Sequence, residues 1–197
     1  FNQVNRYFKD KGFRPLSFQK TAWERTANGV HQLIQCPTGS GKTLAATGAM
    51  IERLLNEKSL KGLRLLYVTP LRAMTKDLEL ALKDPFEASE VRILARNGDT
   101  SAKDRASLFR KPPHILMTTP ESLSVILSSP RSIDLFSTLE SIVVDEWHDL
   151  LSSKRGVQMS LCLSRLVRLS KHPTITGISA TIKDPYMALE ALLPNGV

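Results

Sequence analysis

The amino-acid sequence predicts an α/β fold in which a parallel sheet carries helices on both faces. Short runs rich in Leu, Ile and Val alternate along the chain with longer stretches whose apolar residues recur at helical spacing. Runs such as Ile142-Val143-Val144 are continuously apolar, which is typical of strands buried on both faces of a sheet. Alternation of this kind favours parallel pairing, with the connecting helices packed on the two faces.

Six strands are predicted, each short and bounded by Gly, Pro, Ser or Asp. They are Gln32–Gln35, Leu63–Thr69, Val91–Ala95, Ile115–Thr118, Ser141–Asp145 and Ile175–Ser179. The predicted helices are Thr43–Asn56, Leu71–Leu82, Ala102–Phe109, Pro120–Leu127, Val157–Leu169 and Pro185–Leu192. The last helix is expected to begin with Asp184 as its N-cap and Pro185 at its first position. In such folds ligands bind beyond the carboxyl ends of the strands.

Composition indicates the class of molecule. The 197 residues are 42% hydrophobic and 23% charged, as in an ordinary globular domain, and no apolar run is long enough to cross a membrane. Two cysteines, Cys36 and Cys162, lack metal-ligand spacing, so a reducing cytoplasmic location is expected. The net charge of +8 suggests a polyanionic partner such as nucleic acid, although many basic domains are merely solvated.

A glycine-rich loop follows the first predicted strand. It departs from the pattern G-x-x-x-x-G-K-[ST] only at its first residue, a position that asks for a small turn residue. Its glycines let backbone N–H groups surround a triphosphate, its lysine can reach the outer phosphates, and its threonine offers a hydroxyl to Mg²⁺. The loop predicts an ATP-type nucleotide site, with a chance glycine–serine turn as the alternative. Its residues are Cys36-Pro37-Thr38-Gly39-Ser40-Gly41-Lys42-Thr43.

Two acidic residues end the fifth predicted strand. Asp145 can hold Mg²⁺, usually through its waters, and Glu146 can position and deprotonate an attacking water. His148 can make one hydrogen bond near the terminal phosphate and so report the state of the nucleotide. Paired with the upstream phosphate loop, this Asp-Glu-Trp-His segment predicts hydrolysis of a nucleoside triphosphate. Trp147 is expected to pack or to make a surface contact.

These segments resemble motifs I and II of the superfamily 2 DExH helicases. Ser179-Ala180-Thr181 resembles motif III, Thr69-Pro70-Leu71-Arg72-Ala73 resembles motif Ia, and Thr118-Thr119-Pro120-Glu121-Ser122-Leu123 resembles the later T-T-P-E-S-L element. The order and spacing agree over nearly the whole chain. The resemblance implies that residues 1–197 form the first RecA-like domain of such a helicase, a P-loop NTPase fold that binds ATP and Mg²⁺.

A closer resemblance is to the Lhr-type enzymes, and among them to the bacterial ligase-associated DEXH-box helicases. It is carried by Gly98-Asp99-Thr100-Ser101 and by the Asp-Glu-Trp-His segment followed by Ser153-Lys154-Arg155-Gly156. It implies an ATP-dependent 3′-to-5′ DNA helicase that acts on single-stranded or tailed DNA in repair, with DNA ligase and nuclease partners. The second RecA-like lobe and any C-terminal domains are expected outside this chain. The isolated domain is therefore expected to bind nucleotide weakly and hydrolyse little.

The resemblance also implies roles residue by residue. The catalytic set is Lys42, Asp145, Glu146 and His148, with Thr43 and Asp145 on the metal and Glu146 as the base. Gln19 resembles the adenine-reading glutamine of the Q motif. Ser179 and Thr181 resemble the residues that couple the state of the bound ATP to binding of the nucleic-acid strand. The alternative is an ordinary polar end of a β-strand. Contacts to nucleic-acid phosphates are expected just past the strand ends, at Pro70, Arg72, Gly98, Thr100, Thr119, Pro120 and Glu121.

Other functions remain open at the level of sequence. An RNA helicase or remodelling ATPase would share the fold, because phosphate contacts carry no information about strand type. A non-catalytic nucleic-acid-binding module is disfavoured by the intact phosphate loop and acidic pair. An NTPase that never touches nucleic acid is disfavoured by the T-P-L-R-A and T-T-P-E-S-L elements. Lys154 and Arg155 either add to the strand-binding surface or form a solvated charge pair.

Overall fold

One parallel sheet organises the computed structural model, which describes residues 1–98 and 101–194 apart from the side chains of residues 104 and 105. The strands pair in the order β1-β6-β5-β2-β4-β3, and every pairing is parallel. This confirms the predicted sheet. The strands are β1 (Gln32–Gln35), β2 (Leu65–Val68), β3 (Ile93–Arg96), β4 (Ile115–Thr118), β5 (Ser141–Val144) and β6 (Thr174–Ser179).

Helices connect and cover the strands. Short 3₁₀ turns at Leu71–Ala73 and Asp84–Phe86 flank the fourth of them. Among the described residues, no helix is both long enough and apolar enough to cross a membrane. The helices are α1 (Asn2–Asp10), α2 (Ser17–Ala27), α3 (Lys42–Asn56), α4 (Lys76–Lys83), α5 (Ala102–Arg110), α6 (Pro120–Ser128), α7 (Ser132–Phe136), α8 (Trp147–Leu151), α9 (Lys154–Leu169) and α10 (Pro185–Leu192).

The predicted helix Leu71–Leu82 is wrong in its first half. The chain instead makes the 3₁₀ turn and then starts α4, because the Thr75 hydroxyl accepts a hydrogen bond from the Leu78 N–H at 3.2 Å and so caps a new helix. Helices α1, α2, α7 and α8 were not predicted. The last two span five residues each, too few for a helical period to show in the sequence. The bounds of α10 and its Asp184 cap are as predicted.

Alternate residues of the strands point to opposite faces of the sheet. In β2, Leu66 and Val68 pack with side chains of α5 to α10, whereas Leu65 and Tyr67 pack with side chains of α1 to α4. Both hydrophobic clusters are dominated by residues with almost no exposed surface. The predicted arrangement of helices on both faces is therefore confirmed, and the sheet is buried on both sides.

Helix α3, which begins at the phosphate loop, is held in place by α2. Trp23 is 1% exposed, and its indole Nε1 donates a hydrogen bond to the Leu44 carbonyl at 2.8 Å. Gly48 lies one turn further along α3, and a Cβ built there would lie 2.1 Å from the same indole nitrogen. The close approach of the two helices therefore requires the absence of a side chain at position 48.

Replacement of this glycine tests the contact. Gly48→Ala is expected to lower the free energy of unfolding by about 1–3 kcal/mol, because the indole must move to admit the methyl group. In an ordinary helix interior the same change stabilises by about 1 kcal/mol, so the sign is diagnostic. Urea denaturation followed by circular dichroism measures it. Gly48→Ala should cost less in a Trp23→Phe background, where the ring is smaller; a stabilising effect in the wild-type background would contradict the described packing.

Candidate nucleotide and nucleic-acid site

The predicted site residues lie at the carboxyl edge of the sheet in two adjacent groups. The phosphate-loop group comprises residues 36–43, 145–148 and 179–181, which follow the neighbouring strands β1, β5 and β6. The motif Ia group comprises residues 70–72, 98 and 119–121, which follow the neighbouring strands β2, β3 and β4. Since β5 and β2 pair directly, the two groups meet at these two strands.

The phosphate loop leaves β1 beside motif III. The Cys36 N–H donates to the Ser179 carbonyl at 3.3 Å, which extends the pairing of β1 with β6. Gly39 and Gly41 have φ angles of +78° and +83°, a conformation that glycine adopts without strain. The Ser40 hydroxyl donates to the Pro37 carbonyl at 2.7 Å. The loop ends where α3 begins at Lys42, so the unpaired N–H groups of that helix face the loop.

Gln19 contacts the phosphate loop directly. Its side chain is almost fully buried, with Oε1 accepting from the Leu16 N–H at 2.8 Å and Nε2 donating to the Gly41 carbonyl at 3.1 Å. A Cβ at position 41 would lie 2.6 Å from Nε2. The glutamine therefore supports the last turn of the loop. Its expected role in reading adenine stays a prediction, and the contact with the loop is additional to it.

Asp145 is held in place by two hydrogen bonds. The residue is 9% exposed; its Oδ2 accepts from the Tyr67 hydroxyl and its Oδ1 from the Glu146 N–H, both at 2.8 Å. Burial raises the pKa of the Asp145 carboxyl above its ordinary value, and the two hydrogen bonds and the charge of Lys42 partly offset this rise. Tyr67 is not among the residues predicted from the motifs. The signal that could have identified it is a phenol within the otherwise aliphatic strand Leu65–Val68.

Glu146 and His148 form a connected pair. Glu146 has φ 53° and ψ 39°, a left-handed conformation that is rare for a residue with a side chain and is often found at functional sites. The Glu146 Oε2 lies 3.1 Å from the His148 Nε2, and the His148 Nδ1 accepts a hydrogen bond from the Ala180 N–H at 3.1 Å. Because Nδ1 accepts, the neutral ring carries its proton on Nε2 and donates it toward Glu146. The histidine thus joins motif II to motif III.

The two remaining motif III residues differ in exposure. Ser179 is fully buried, and its hydroxyl donates to the Ala180 carbonyl at 2.8 Å. Thr181 is exposed beyond the end of β6. The buried serine pairs with Gln35 at the end of β1. The role of Thr181 in linking nucleotide state to nucleic-acid binding stays a prediction.

In the motif Ia group, charged side chains are already paired. Arg72 is exposed and forms an ion pair with Asp149, the residue after His148. Arg155 lies with its Nε 3.0 Å from the Glu121 Oε1. Both arginines therefore lie on the surface next to a carboxylate that a phosphate group could replace. Both alternatives for Lys154 and Arg155 stay predictions.

Some of the other residues predicted to contact nucleic acid in this group are buried and stabilise the fold. Thr119 is 2% exposed, and its hydroxyl accepts from the Ser122 N–H at 3.2 Å, so it caps α6 rather than facing solvent. Pro120 is also buried, at the first position of that helix. Pro70 is buried, whereas Gly98 is exposed. The predicted contact at Thr100 lies outside the described residues.

The segment after motif II is explained by packing. Trp147 is fully buried and its Nε1 donates to the Ala188 carbonyl of α10 at 2.7 Å, which decides between packing and a surface contact. Ser153 caps α9 by accepting from the Arg155 N–H at 3.2 Å. A Cβ at Gly156 would lie 2.4 Å from the Leu150 carbonyl oxygen, so α8 and α9 can approach only with glycine there.

The oxygen donors of the site fit a hydrated Mg²⁺. Thr43 in the first turn of α3 offers a hydroxyl, and each Asp145 oxygen accepts one hydrogen bond and retains further lone pairs. Hydroxyl and carboxylate oxygens are ligands that Mg²⁺ prefers, with water completing its shell.

Comparison with known proteins agrees with this arrangement. The family model for DEAD/DEAH box helicases matches residues 16–189. The chain belongs to the DEAD/DEAH box helicase family. This DEAD/DEAH box domain is 39% identical over 209 residues to the ATP-dependent helicase Lhr-Core of Methanocaldococcus jannaschii, covering 98% of this chain and 25% of that protein. The chain thus spans about a quarter of the relative's length.

Two solved helicase structures resemble this domain. It resembles the structure of Mycobacterium smegmatis helicase Lhr bound to ssDNA and AMP-PNP, with 34% identity and a TM-score of 0.83, over 94% of this chain and 25% of that one. It shares the fold of the DEAD-box helicase Mss116 bound to ssRNA and UDP-BeF, with 18% identity and a TM-score of 0.84, over 99% of this chain and 41% of that one. The RecA-like fold and the Lhr-type resemblance are confirmed; the ligase-associated branch stays a prediction.

The raised pKa of Asp145 gives a testable effect on stability. A carboxyl whose pKa is higher in the folded than in the unfolded protein contributes stability at low pH that is lost as the pH rises through the folded pKa. Asp145→Asn removes the charge, so the variant is expected to be more stable than the wild type at neutral pH. The difference should shrink toward acidic pH, where the wild-type carboxyl is protonated. Thermal unfolding at several pH values measures it.

Asp84→Asn is the matched control with the opposite sign. Asp84 accepts from the Tyr7 hydroxyl at 2.7 Å and from Lys11, and these partners hold its pKa below the ordinary value. A lowered pKa contributes stability above the unfolded pKa that is lost as the pH falls, so this variant should be less stable than the wild type at neutral pH. Equal effects of the two substitutions would contradict the assignment.

Proposed function

We propose that this domain is the ATP-binding motor lobe of a 3′-to-5′ DNA helicase that couples ATP hydrolysis to movement along single-stranded DNA. The observation that carries the proposal is the direct meeting of the phosphate-loop group and the motif Ia group at β5 and β2. Family membership and the printed ligands of the Lhr structure, ssDNA and AMP-PNP, support it.

Hydrolysis is assigned to the phosphate-loop group. Lys42 would contact the outer phosphates, while Thr43 and Asp145 would hold Mg²⁺, which when bound neutralises charge on the phosphate oxygens. Glu146 would orient the attacking water and accept its proton. His148, bonded to both Glu146 and the backbone of Ala180, would hold that carboxylate in position.

Binding of single-stranded DNA is assigned to the motif Ia group. A DNA phosphate can replace Asp149 beside Arg72 and Glu121 beside Arg155, since each exchange substitutes one anion for another. Asp149 Oδ1 also lies 3.6 Å from the His148 Nε2. Release of Asp149 from Arg72 would therefore change the surroundings of the histidine that contacts Glu146. The contacts from Arg72 through Asp149 to His148 therefore give a short physical connection between DNA binding and ATP hydrolysis.

The wider assignment depends on the resemblance of the motifs to the Lhr-type helicases and not on the domain's own contacts. A second RecA-like lobe would supply the arginine that phosphoryl transfer requires, so the isolated domain should hydrolyse ATP slowly. A repair role with DNA ligase and nuclease partners in the cytoplasm belongs to the same proposal. The second candidate is an RNA helicase or remodelling ATPase, because the described contacts suit phosphates of either strand type.

Glu146→Gln tests the catalytic assignment. In the full-length protein it should lower the ATPase rate by about 10²–10⁴-fold, the usual contribution of a general base, with ATP binding retained. Rates are measured without nucleic acid, with single-stranded DNA and with RNA. The exposed Glu90→Gln serves as control and should leave the rate unchanged. A rate unaffected by either nucleic acid would reject the helicase proposal, and stimulation by RNA alone would favour the second candidate.

Asp149→Asn tests the strand-binding surface. Removal of the carboxylate frees Arg72, so affinity for a fluorescent single-stranded DNA should rise about two- to fivefold at low salt, in keeping with the modest free energy of an exposed ion pair. Arg72→Ala should lower affinity and reduce its dependence on salt. Asp134→Asn on α7 is the control for a change of net charge alone. Anisotropy titrations at low and high salt measure all three, and identical gains for Asp149→Asn and Asp134→Asn would contradict a specific pair.

A further inference from the structure

Tyr67 lies where the two groups of the site meet. It is the third residue of β2, is fully buried, and faces the side of the sheet covered by α3. Its hydroxyl donates to the Asp145 Oδ2 at 2.8 Å. One phenol of β2 thus contacts the carboxylate assigned to the metal, although the two residues come from different motifs.

The position of this phenol is set by the sheet. Tyr67 pairs with Val143 of β5, and one residue further on the Asp145 N–H donates to the Val68 carbonyl at 2.7 Å. The pairing therefore continues past the end of β5 and aligns Asp145 with the hydroxyl. On the other side of β2, the Thr69 N–H donates to the Thr118 carbonyl at 3.0 Å. Strand pairing on both sides fixes the backbone of Tyr67, and complete burial restricts the motion of its ring.

Packing alone does not explain the hydroxyl. Phenylalanine would fill nearly the same volume in this cluster, and a buried hydroxyl is unfavourable unless it is hydrogen-bonded. The side-chain hydrogen bond described for it is the one to Asp145. A hydrogen bond to a charged group is stronger than one between neutral groups and is directional. The hydroxyl is therefore suited to orienting the carboxylate.

We propose that Tyr67 is a positioning residue for the magnesium-dependent part of nucleotide binding. Its hydroxyl holds the Asp145 carboxylate in the orientation that the ion requires. The inference rests on the proposed ATP site and adds to it a residue outside the phosphate loop and the acidic motif. Because β2 ends at Val68 and the chain continues directly to Pro70 and Arg72, Tyr67 lies close in sequence to predicted nucleic-acid contacts.

Tyr67→Phe in the full-length protein tests the proposal. The dissociation constant of a fluorescent ATP analogue should rise about tenfold in Mg²⁺, the cost of losing a hydrogen bond to a charged group. In EDTA the two proteins should bind the analogue equally, because the phenylalanine ring still fills the core. A Mg²⁺ titration at fixed analogue concentration should show a matching rise in the half-saturating concentration of Mg²⁺.

Tyr7→Phe is the matched control. It removes the same kind of bond, from the Tyr7 hydroxyl to Asp84 at 2.7 Å, at a place outside the site. Its analogue binding should equal that of the wild type with and without Mg²⁺. Unfolding measurements on both variants show whether each remains folded at the temperature of the assay.

The outcomes separate the inference from the function on which it rests. A loss confined to Mg²⁺ conditions, seen in Tyr67→Phe and not in Tyr7→Phe, supports the positioning role. Unchanged binding by Tyr67→Phe, or an equal loss in Mg²⁺ and EDTA, overturns that role while the ATP site stands. Failure of the wild-type protein to bind the analogue at all overturns the proposed function itself.

Discussion

Parallel pairing of the six strands is the constraint on which the site depends. In a parallel sheet the carboxyl ends of all strands lie at one edge, so segments far apart in the chain meet there. The pair β5–β2 is the most consequential, because it joins the phosphate-loop group to the motif Ia group. The hydrogen bond from the Asp145 N–H to the Val68 carbonyl continues this pairing into the site. Neither group would have its present neighbours in another strand order.

Two of the residues assigned to chemistry are individually unfavourable for folding. Burial disfavours the charged form of the Asp145 carboxyl. Glu146 adopts a left-handed backbone conformation that costs on the order of 1–3 kcal/mol. Stable contacts surround them: the indole of Trp23 against Gly48 on one face, and Trp147 bonded to the Ala188 carbonyl on the other. Strain at a site supported by a rigid scaffold is a common compromise between stability and activity.

Local sequence patterns predicted most of the strands and helices, but they did not predict contacts between residues far apart in the chain. Strand β5 was predictable because Ile142-Val143-Val144 must be buried on both faces. The contact of Tyr67 with Asp145 was not predictable. Nothing in its strand indicates that the Asp145 Oδ2, distant in sequence, would lie 2.8 Å from the Tyr67 hydroxyl. Thr119 is predicted to contact nucleic-acid phosphates, and its buried hydroxyl also caps α6. The capping contact depends on the helix that follows, which the single residue type does not reveal.

The sequence by itself determined the local chemistry: a glycine-rich loop before a helix, an acidic pair at the end of a buried strand, and their shared resemblance to helicase motifs. These follow from residue type and short-range spacing, which specify backbone conformation and charge. The tertiary structure decided which side chains are available. It pairs Arg72 with Asp149, places Gln19 against Gly41 and buries Tyr67 beside Asp145. Such contacts depend on strand order and helix packing, which bring together residues that no local pattern connects.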